Sequence, residues 1–511
     1  MKDINKSLWE ENEYPSYSIL DNGVETQVCV IGGGITGLTT ALLLKQKGFD
    51  VILLERGKIG SGTTGHTTGH ITSAIDFYYH RLIRFYGEET SKEIFMATVK
   101  ARKLIENLIN SYQIEEAKYK NLPVTYFADK AKQMDEFFKE RDAFEKLGVG
   151  ISHEHEWKIE GELTSFSIHN QGMMDALGYL HGLSKALTEA GGRICEYSPV
   201  TDFTHVKDKW HVKVNGHFVV ADHLVQATHT PLGLNPVQME MVPHNSYVMV
   251  FKPKLPVQKG MFYDFDSPYH YIRPCEVNGE DCYMLGGADN KSGKKNQQQQ
   301  KMLKLRAYAE EKFGIEKIHH EWTSMFFEPS NELPFIGKTP FGKNNFIACG
   351  FSGDGLTFGT ISAMMISSLI SEGRHPLEKV FSPSRVEFNA IPFILRENLN
   401  NMKHLIGDRI KLKKEKIKTL QKGKGIIVKM DEQTVGVSLD DNGDLHGVVP
   451  ICPHMKCLVK WNDQGQTWDC GCHGSRFNAK GEVVAGPSMN PLPSVKVEVQ
   501  PIPPITNTKI E

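Results

Sequence analysis

A glycine-spaced turn near the start constrains this chain more than any other feature. Residues 28–31 (Val28-Cys29-Val30-Ile31) form a short apolar run, and Gly32-x-Gly34-x-x-Gly37 follows directly. This reads as a buried strand, a tight turn and a helix over 35–48 closed by Gly48. A second apolar run over 51–54 ends at Glu55. Strand, glycine turn, helix and strand make a βαβ unit, which commits this part of the chain to a parallel α/β sheet. Gly32 permits the tight turn, Gly34 lets the backbone approach a pyrophosphate, and Gly37 lets the helix pack on the strand. The helix N-terminus then presents unpaired N–H groups to the anion. Glu55 is placed to bind a ribose diol. The motif alone suits FAD and NAD equally.

Charge and length narrow the classes further. The 511 residues suggest roughly three folding units at about 150 residues each. Lys and Arg number 59 against 61 Asp and Glu, a net charge of −2. A general nucleic-acid binder needs a basic excess to neutralise phosphates, so that class is excluded. The N-terminal residues carry Asp3, Glu10, Glu11 and Glu13 without an apolar core, unlike a signal peptide. Two uncharged stretches, 26–44 and 355–371, read as buried strand-turn-helix and helix, not as membrane spans. A cytoplasmic protein is expected.

Along the chain, residues 77–150 read as helical, 194–225 as short strands with a hairpin at Asn215-Gly216, and 246–288 as strands. Residues 297–300, four glutamines, read as a solvated loop. A buried strand returns at 345–350, followed by an uncharged helix. Residues 409–424 carry eight basic residues and one acid and read as a connector. The amphipathic stretch 391–412 reads as a solvated segment, with membrane-surface or partner docking as the alternative. After 425 the pattern is all-β.

Three segments tilt the cofactor towards FAD. The 60–69 loop (GSGTTGHTTG) can run along a flavin without side chains in the way. ADHLVQATH at 221–229 is a strand ending in small residues, and GFSGDGLTFG at 350–359 opens a helix towards an anionic ring. With Glu55-Arg56, Pro199-Val200, YIRP…LGGADNKSG at 271–293 and LPFIG at 333–337, the chain resembles the D-amino-acid-oxidase-type flavoprotein family, which includes glycine and sarcosine oxidases. The resemblance implies that Gly32, Gly34 and Gly37 hold the pyrophosphate and Glu55, with Arg56 beside it, the adenosine ribose. Thr63 and Thr64 would line the pyrophosphate and flavin, Val200 would meet adenine, and Gly355, Leu356 and Thr357 would face the ring. His66 sits in a loop like that of relatives with histidine-linked FAD; a noncovalent neighbour of the flavin is the preferred reading. Tyr271 and Arg273 are candidate substrate contacts, since an arginine there could clamp a carboxylate.

The other concentration of chemistry is C-terminal. Cys452-Pro-His454-Met-Lys-Cys457 and Cys470-Gly-Cys472-His473-Gly474-Ser475 hold four of the nine cysteines within 21 residues. Two cysteines and two histidines are also a zinc set. Here each loop mixes one Cys with one His among strands and turns, which suits a Rieske [2Fe–2S] centre. Residues 425–505 resemble the Rieske family. The resemblance implies Cys452 and Cys470 on one iron, His454 and His473 on the other, and a disulfide between Cys457 and Cys472. Ser475 would donate a hydrogen bond to a cluster sulfur. Phe477 stands where a tyrosine often does, which implies a somewhat lower potential.

The fold expected is an α/β FAD-binding Rossmann-type domain with an α+β substrate domain, followed by a small all-β Rieske domain. The divisions are 1–384 for the oxidoreductase, 385–424 for the basic connector and 425–511 for the Rieske domain. Within the first, parts near 25–76, 166–229 and 326–384 would bind FAD, and parts near 77–165 and 230–325 the substrate. Flavin exchanges two electrons and the cluster one, so the chain reads as a dehydrogenase of a small amine or amino-acid-like molecule. The cluster would relay electrons to an external acceptor. A reductase running the other way and a non-catalytic redox sensor are the alternatives.

Overall fold

The computed structural model describes residues 6–153, 164–292, 297–340, 342–385, 420–430, 433–463 and 465–497. The segment 391–412 and most of the connector lie outside them.

The first apolar run becomes strand β1 (Val24–Ile31), the helix α1 (Ile35–Gln46) and the second run β2 (Val51–Leu54). β1 lies between β2 and the strand His217–Gln226, parallel to both. Arg193–Cys195 extends this sheet on one side, Asn345–Cys349 and Phe335–Lys338 on the other. Helix α1 is apolar all round and buried along most of its length. It is covered by the helices Gly355–Ser371 and Ala176–Glu189, as such a pattern requires. The carboxyl ends of β1 and His217–Gln226 meet here, the crevice where open α/β sheets bind ligands.

A second sheet, of nine strands among the described residues, stands beside the first. Its order runs Ile315–Pro329, Met241–Pro253, Glu280–Lys291, Tyr271–Val277, Met261–Asp264, Lys120–Ala128, Thr164–Met173 and His70–Ile71, with Ile151–Ser152 branching off. Met241–Pro253 is buried at nearly every position, so it reads as a continuous apolar strand between two partners.

Two expectations from periodicity are corrected. The stretch 77–150 is not helical throughout. A long helix, Tyr79–Tyr112, kinks at Gly87 and is followed by the strand Lys120–Ala128 and the helix Met134–Lys146. Val124, Thr125, Tyr126 and Phe127 favour a pleated surface, and pairing on both sides of the strand decides the matter. The glutamines 297–300 are not a loop but the first turn of the helix Gln297–Phe313, which packs on the second sheet.

After the connector, Lys424–Met430, Gln433–Leu439 and Leu445–Val448 form a three-stranded sheet. Lys460–Asn462, Thr467–Asp469, Arg476–Phe477 and Val483–Ala485 form a four-stranded one. Trp468 and Phe477 fill the space behind the two cysteine–histidine loops. Among the described residues no helix is long and apolar enough to cross a membrane.

Candidate functional site

A cavity of about 520 Å3 opens at the glycine turn. The turn admits only glycine at two points. A Cβ on Gly32, whose φ is +110°, would lie 2.3 Å from Ala227 O, and one on Gly37 1.9 Å from Gly32 O. Gly37 therefore acts by packing and stays off the cavity wall, whereas Gly32 and Gly34 line it. Glu55 lines it too. Its carboxylate accepts from Gly33 N (2.7 Å) and Gly57 N (2.8 Å), while burial pushes its pKa up against those two donors. Arg56 stands beside it with Nη1 buried and without a hydrogen-bond partner, a donor suited to an anionic cofactor.

The 60–69 loop makes the next stretch of wall with Thr63, Thr64 and His66. Thr64 Oγ1 accepts from Ile35 N (3.3 Å), tying the loop to the helix N-terminus. His66 Nδ1 lies 3.0 Å from Gly62 O. Val200, Gly355 and Leu356 complete the set that sequence places here. Thr357 turns away and donates to Thr72 O (3.1 Å).

The far end of the cavity is aromatic and acidic. Tyr263, Tyr269, Tyr271, His70, Asp76 and Asp354 stand on its wall. Tyr269 donates to Asp76, which also accepts from Gly353 N (2.6 Å), and Asp354 accepts from Asp76 N (2.8 Å). Burial raises the pKa of both carboxyls and lowers that of His70 to about 3. Tyr271 is thus on the wall, bonded to Ser246 (2.8 Å). Arg273, two residues on, is not among the lining residues. Its guanidinium lies over the ring of Trp9, 5.1 Å from the centroid. Sequence reasoning passed over Asp76, Tyr269 and His229. Asp354 and His229 stand inside quoted motifs and Tyr269 two residues before one, but nothing local marks Asp76.

In the C-terminal sheets two matching turns face each other. Lys456 N donates to Cys452 O (3.0 Å) and Gly474 N to Cys470 O (3.0 Å). Cys457 and Cys472 are joined by a disulfide with Cα atoms 6.6 Å apart. Cys452 and Cys470 are free thiols in mutual contact. The Cys470 thiol, the His454 and Met455 N–H groups and the Ser475 hydroxyl hold the Cys452 thiol below its ordinary range. The rings of His454 and His473 lie 5.1 Å apart, centre to centre. His473 is buried with neither nitrogen hydrogen-bonded, and His454 Nδ1 is likewise buried and unbonded. Two sulfurs surrounded by donors and orphaned imidazole nitrogens suit a metal cluster. Of the four residues that sequence singles out as ligands, the two thiols meet each other and the two imidazoles meet each other.

A glycine-cradled cavity on a parallel sheet, with a cysteine–histidine module beside it, defines a flavoprotein oxidoreductase with an iron–sulfur domain. The FAD dependent oxidoreductase (DAO) family matches residues 27–369 and the Rieske [2Fe-2S] domain matches 411–496, and the chain belongs to that oxidoreductase family. YhfW of Bacillus subtilis (strain 168), which bears a provisional name as a Rieske 2Fe-2S iron-sulfur protein, is 30% identical over 503 residues, 97% of this chain and 99% of its own length. Gamma-glutamylputrescine oxidoreductase of Escherichia coli (strain K12) is 28% identical over 201 residues, 38% of this chain and 47% of its own. Glycine oxidase from Geobacillus kaustophilus shares the fold with a TM-score of 0.58 at 15% identity, covering 71% of this chain and 100% of its own. The protein is an FAD-dependent oxidoreductase with a Rieske domain, and its cofactors are FAD and a Rieske [2Fe–2S] cluster.

Proposed function

We propose that this enzyme is a dehydrogenase of a small amine or amino-acid-like substrate that sends its electrons through the cluster to an external acceptor. One observation carries the reading: the flavin-side cavity is walled in part by residues 483–486 of the C-terminal domain. The domain that would carry the cluster therefore contributes to the flavin-side wall, as a relay requires. Bound FAD supplies two-electron chemistry and the cluster one-electron chemistry.

The chain's own residues divide the work. Gly32, Gly34 and the N-terminus of α1 would hold the pyrophosphate, Glu55 the ribose and Val200 the adenine. Thr63, Thr64, Gly355 and Leu356 would border the ring. Cys452, Cys470, His454 and His473 would ligate the irons. Tyr269 and Tyr271 would flank the substrate, with Asp76 fixing the Tyr269 hydroxyl. Overall, a C–H/N–H pair loses two electrons and two protons to become C=N. The cluster would supply the one-electron exit to the acceptor for both electrons, and the protons would go to water.

Anaerobic screening of the holo-protein against amines and amino acids tests this. A substrate should bleach the flavin absorbance and then generate the EPR signal of a reduced Rieske cluster. Flavin bleaching that never produces the cluster signal would defeat the relay.

A further inference from the structure

The histidine side of the cluster domain faces inward. His454 Nε2 lies 3.1 Å from Gly233 O and 3.0 Å from Gln238 Oε1. The other bonds of Gln238 fix the orientation of its amide. Its Nε2 donates to Pro231 O (2.7 Å) and Gly233 O (2.8 Å), and its Oε1 accepts from Asn235 N (3.1 Å). Both partners of His454 are therefore acceptors, so its Nε2 carries the proton. Its Nδ1, buried and unbonded, is left with the lone pair a metal needs.

The second loop also meets the flavoprotein body. Gly474 has φ +79°, and a Cβ there would come within 2.6 Å of Phe327 Cζ. The Phe327 ring packs on His229, with centroids 4.7 Å apart at 69°. His229 Nδ1 lies 3.3 Å from Thr63 Oγ1, and both residues line the flavin cavity. Gly233 N donates to Pro487 O (3.1 Å), closing the contact beside the shared wall.

We infer that residues 228–238 with Phe327 form a built-in receptor for the histidine side of the cluster domain. Gln238 is the positioning residue that fixes the tautomer of His454, and the cluster exchanges electrons with the flavin cavity across this contact. With both cofactors bound, each crossing would carry one electron from reduced flavin to the oxidised cluster, and the accompanying proton would go to water. An outside molecule is denied the Nε2 position of His454 while the contact is closed. The inference rests on the proposed role of His454 as an iron ligand.

The test uses the full-length protein with both cofactors bound. Hydrogen exchange at the Gly233 amide, which donates to Pro487 O across the contact, reads its opening. In the wild-type protein this amide should exchange at least tenfold more slowly than a free peptide amide. Gln238→Met, which removes the acceptor for His454 Nε2, should speed it about tenfold with iron content and EPR line shape retained. After photoreduction of the flavin, the cluster signal should rise at least tenfold more slowly in Gln238→Met. An unprotected Gly233 amide in the wild-type protein would overturn the receptor, as would a Gln238→Met variant that changes neither rate. A His454→Ala variant that keeps full iron and an unchanged signal would instead remove the ligand assignment on which the inference rests.

Discussion

Replacing both Cys457 and Cys472 by alanine should destabilise the C-terminal domain by very different amounts with and without iron. The disulfide closes a loop with a sequence separation of 15. Constraining such a loop in the unfolded chain is worth about 3 kcal/mol. Both sulfurs are buried, and removing each costs about 0.8 kcal/mol more, as for a methylene. The iron-depleted domain should therefore lose about 4–5 kcal/mol. In the holo-protein the proposed ligands Cys452 and His454 are already tied through the cluster to Cys470 and His473. The disulfide then adds little closure of its own, and the loss should fall to about 2 kcal/mol, mostly the buried sulfurs. Hydrogen exchange at the Val459 and Cys470 amides, which donate to Pro450 O and Ser475 O, reads the opening of this domain alone. About 4–5 kcal/mol corresponds to roughly 700-fold to 4,000-fold faster exchange in the apo variant, and about 2 kcal/mol to roughly thirtyfold in the holo variant. Equal acceleration in both forms would refute the reasoning, because the cluster would then not bridge the two loops.

Three further outcomes follow from the flavoprotein part of the chain. Gly37→Ala should yield protein that loses FAD on gel filtration, read as the flavin-to-protein absorbance ratio, because its Cβ has no room beside Gly32 O. Glu55→Gln keeps the shape but replaces one acceptor oxygen by a donor facing a backbone N–H. FAD affinity measured by fluorescence titration should fall about tenfold to a hundredfold, in line with about 1.5–3 kcal/mol for a charge-assisted bond. Burial raises Asp289 to about 7, so the neutral acid is the form the fold prefers. Its contribution is complete below the ordinary carboxyl range and is lost as pH rises towards 7. Asp289→Asn should flatten the fall in melting temperature between pH 4 and 8; an unchanged slope would count against this assignment.

The readable parts of the sequence were those where one short segment bears the whole constraint. The glycine turn is dictated by backbone collisions within it and against Ala227, and the cysteine–histidine loops carry their ligands two and three residues apart. What the sequence hid depends on partners distant along the chain. Tyr269 meets Asp76 across 193 residues, and His454 meets Gln238 across 216. Arg273 looked like a carboxylate clamp beside Tyr271, but Trp9 packs on it and draws it off the wall. Lys120–Ala128 was absorbed into a helical reading because the strands that pair with it, Met261–Asp264 and Thr164–Met173, begin 141 and 44 residues later.

The shared wall at 483–486 also bears on how the protein is made. The glycine turn leaves the ribosome some 450 residues before that wall exists. FAD can find its cradle early, but its pocket is finished only when the domain carrying residues 483–486 has folded. Folding of that domain and flavin retention are thereby joined in biogenesis, and a chain halted before residue 483 would be expected to hold a flavin pocket that still stands open.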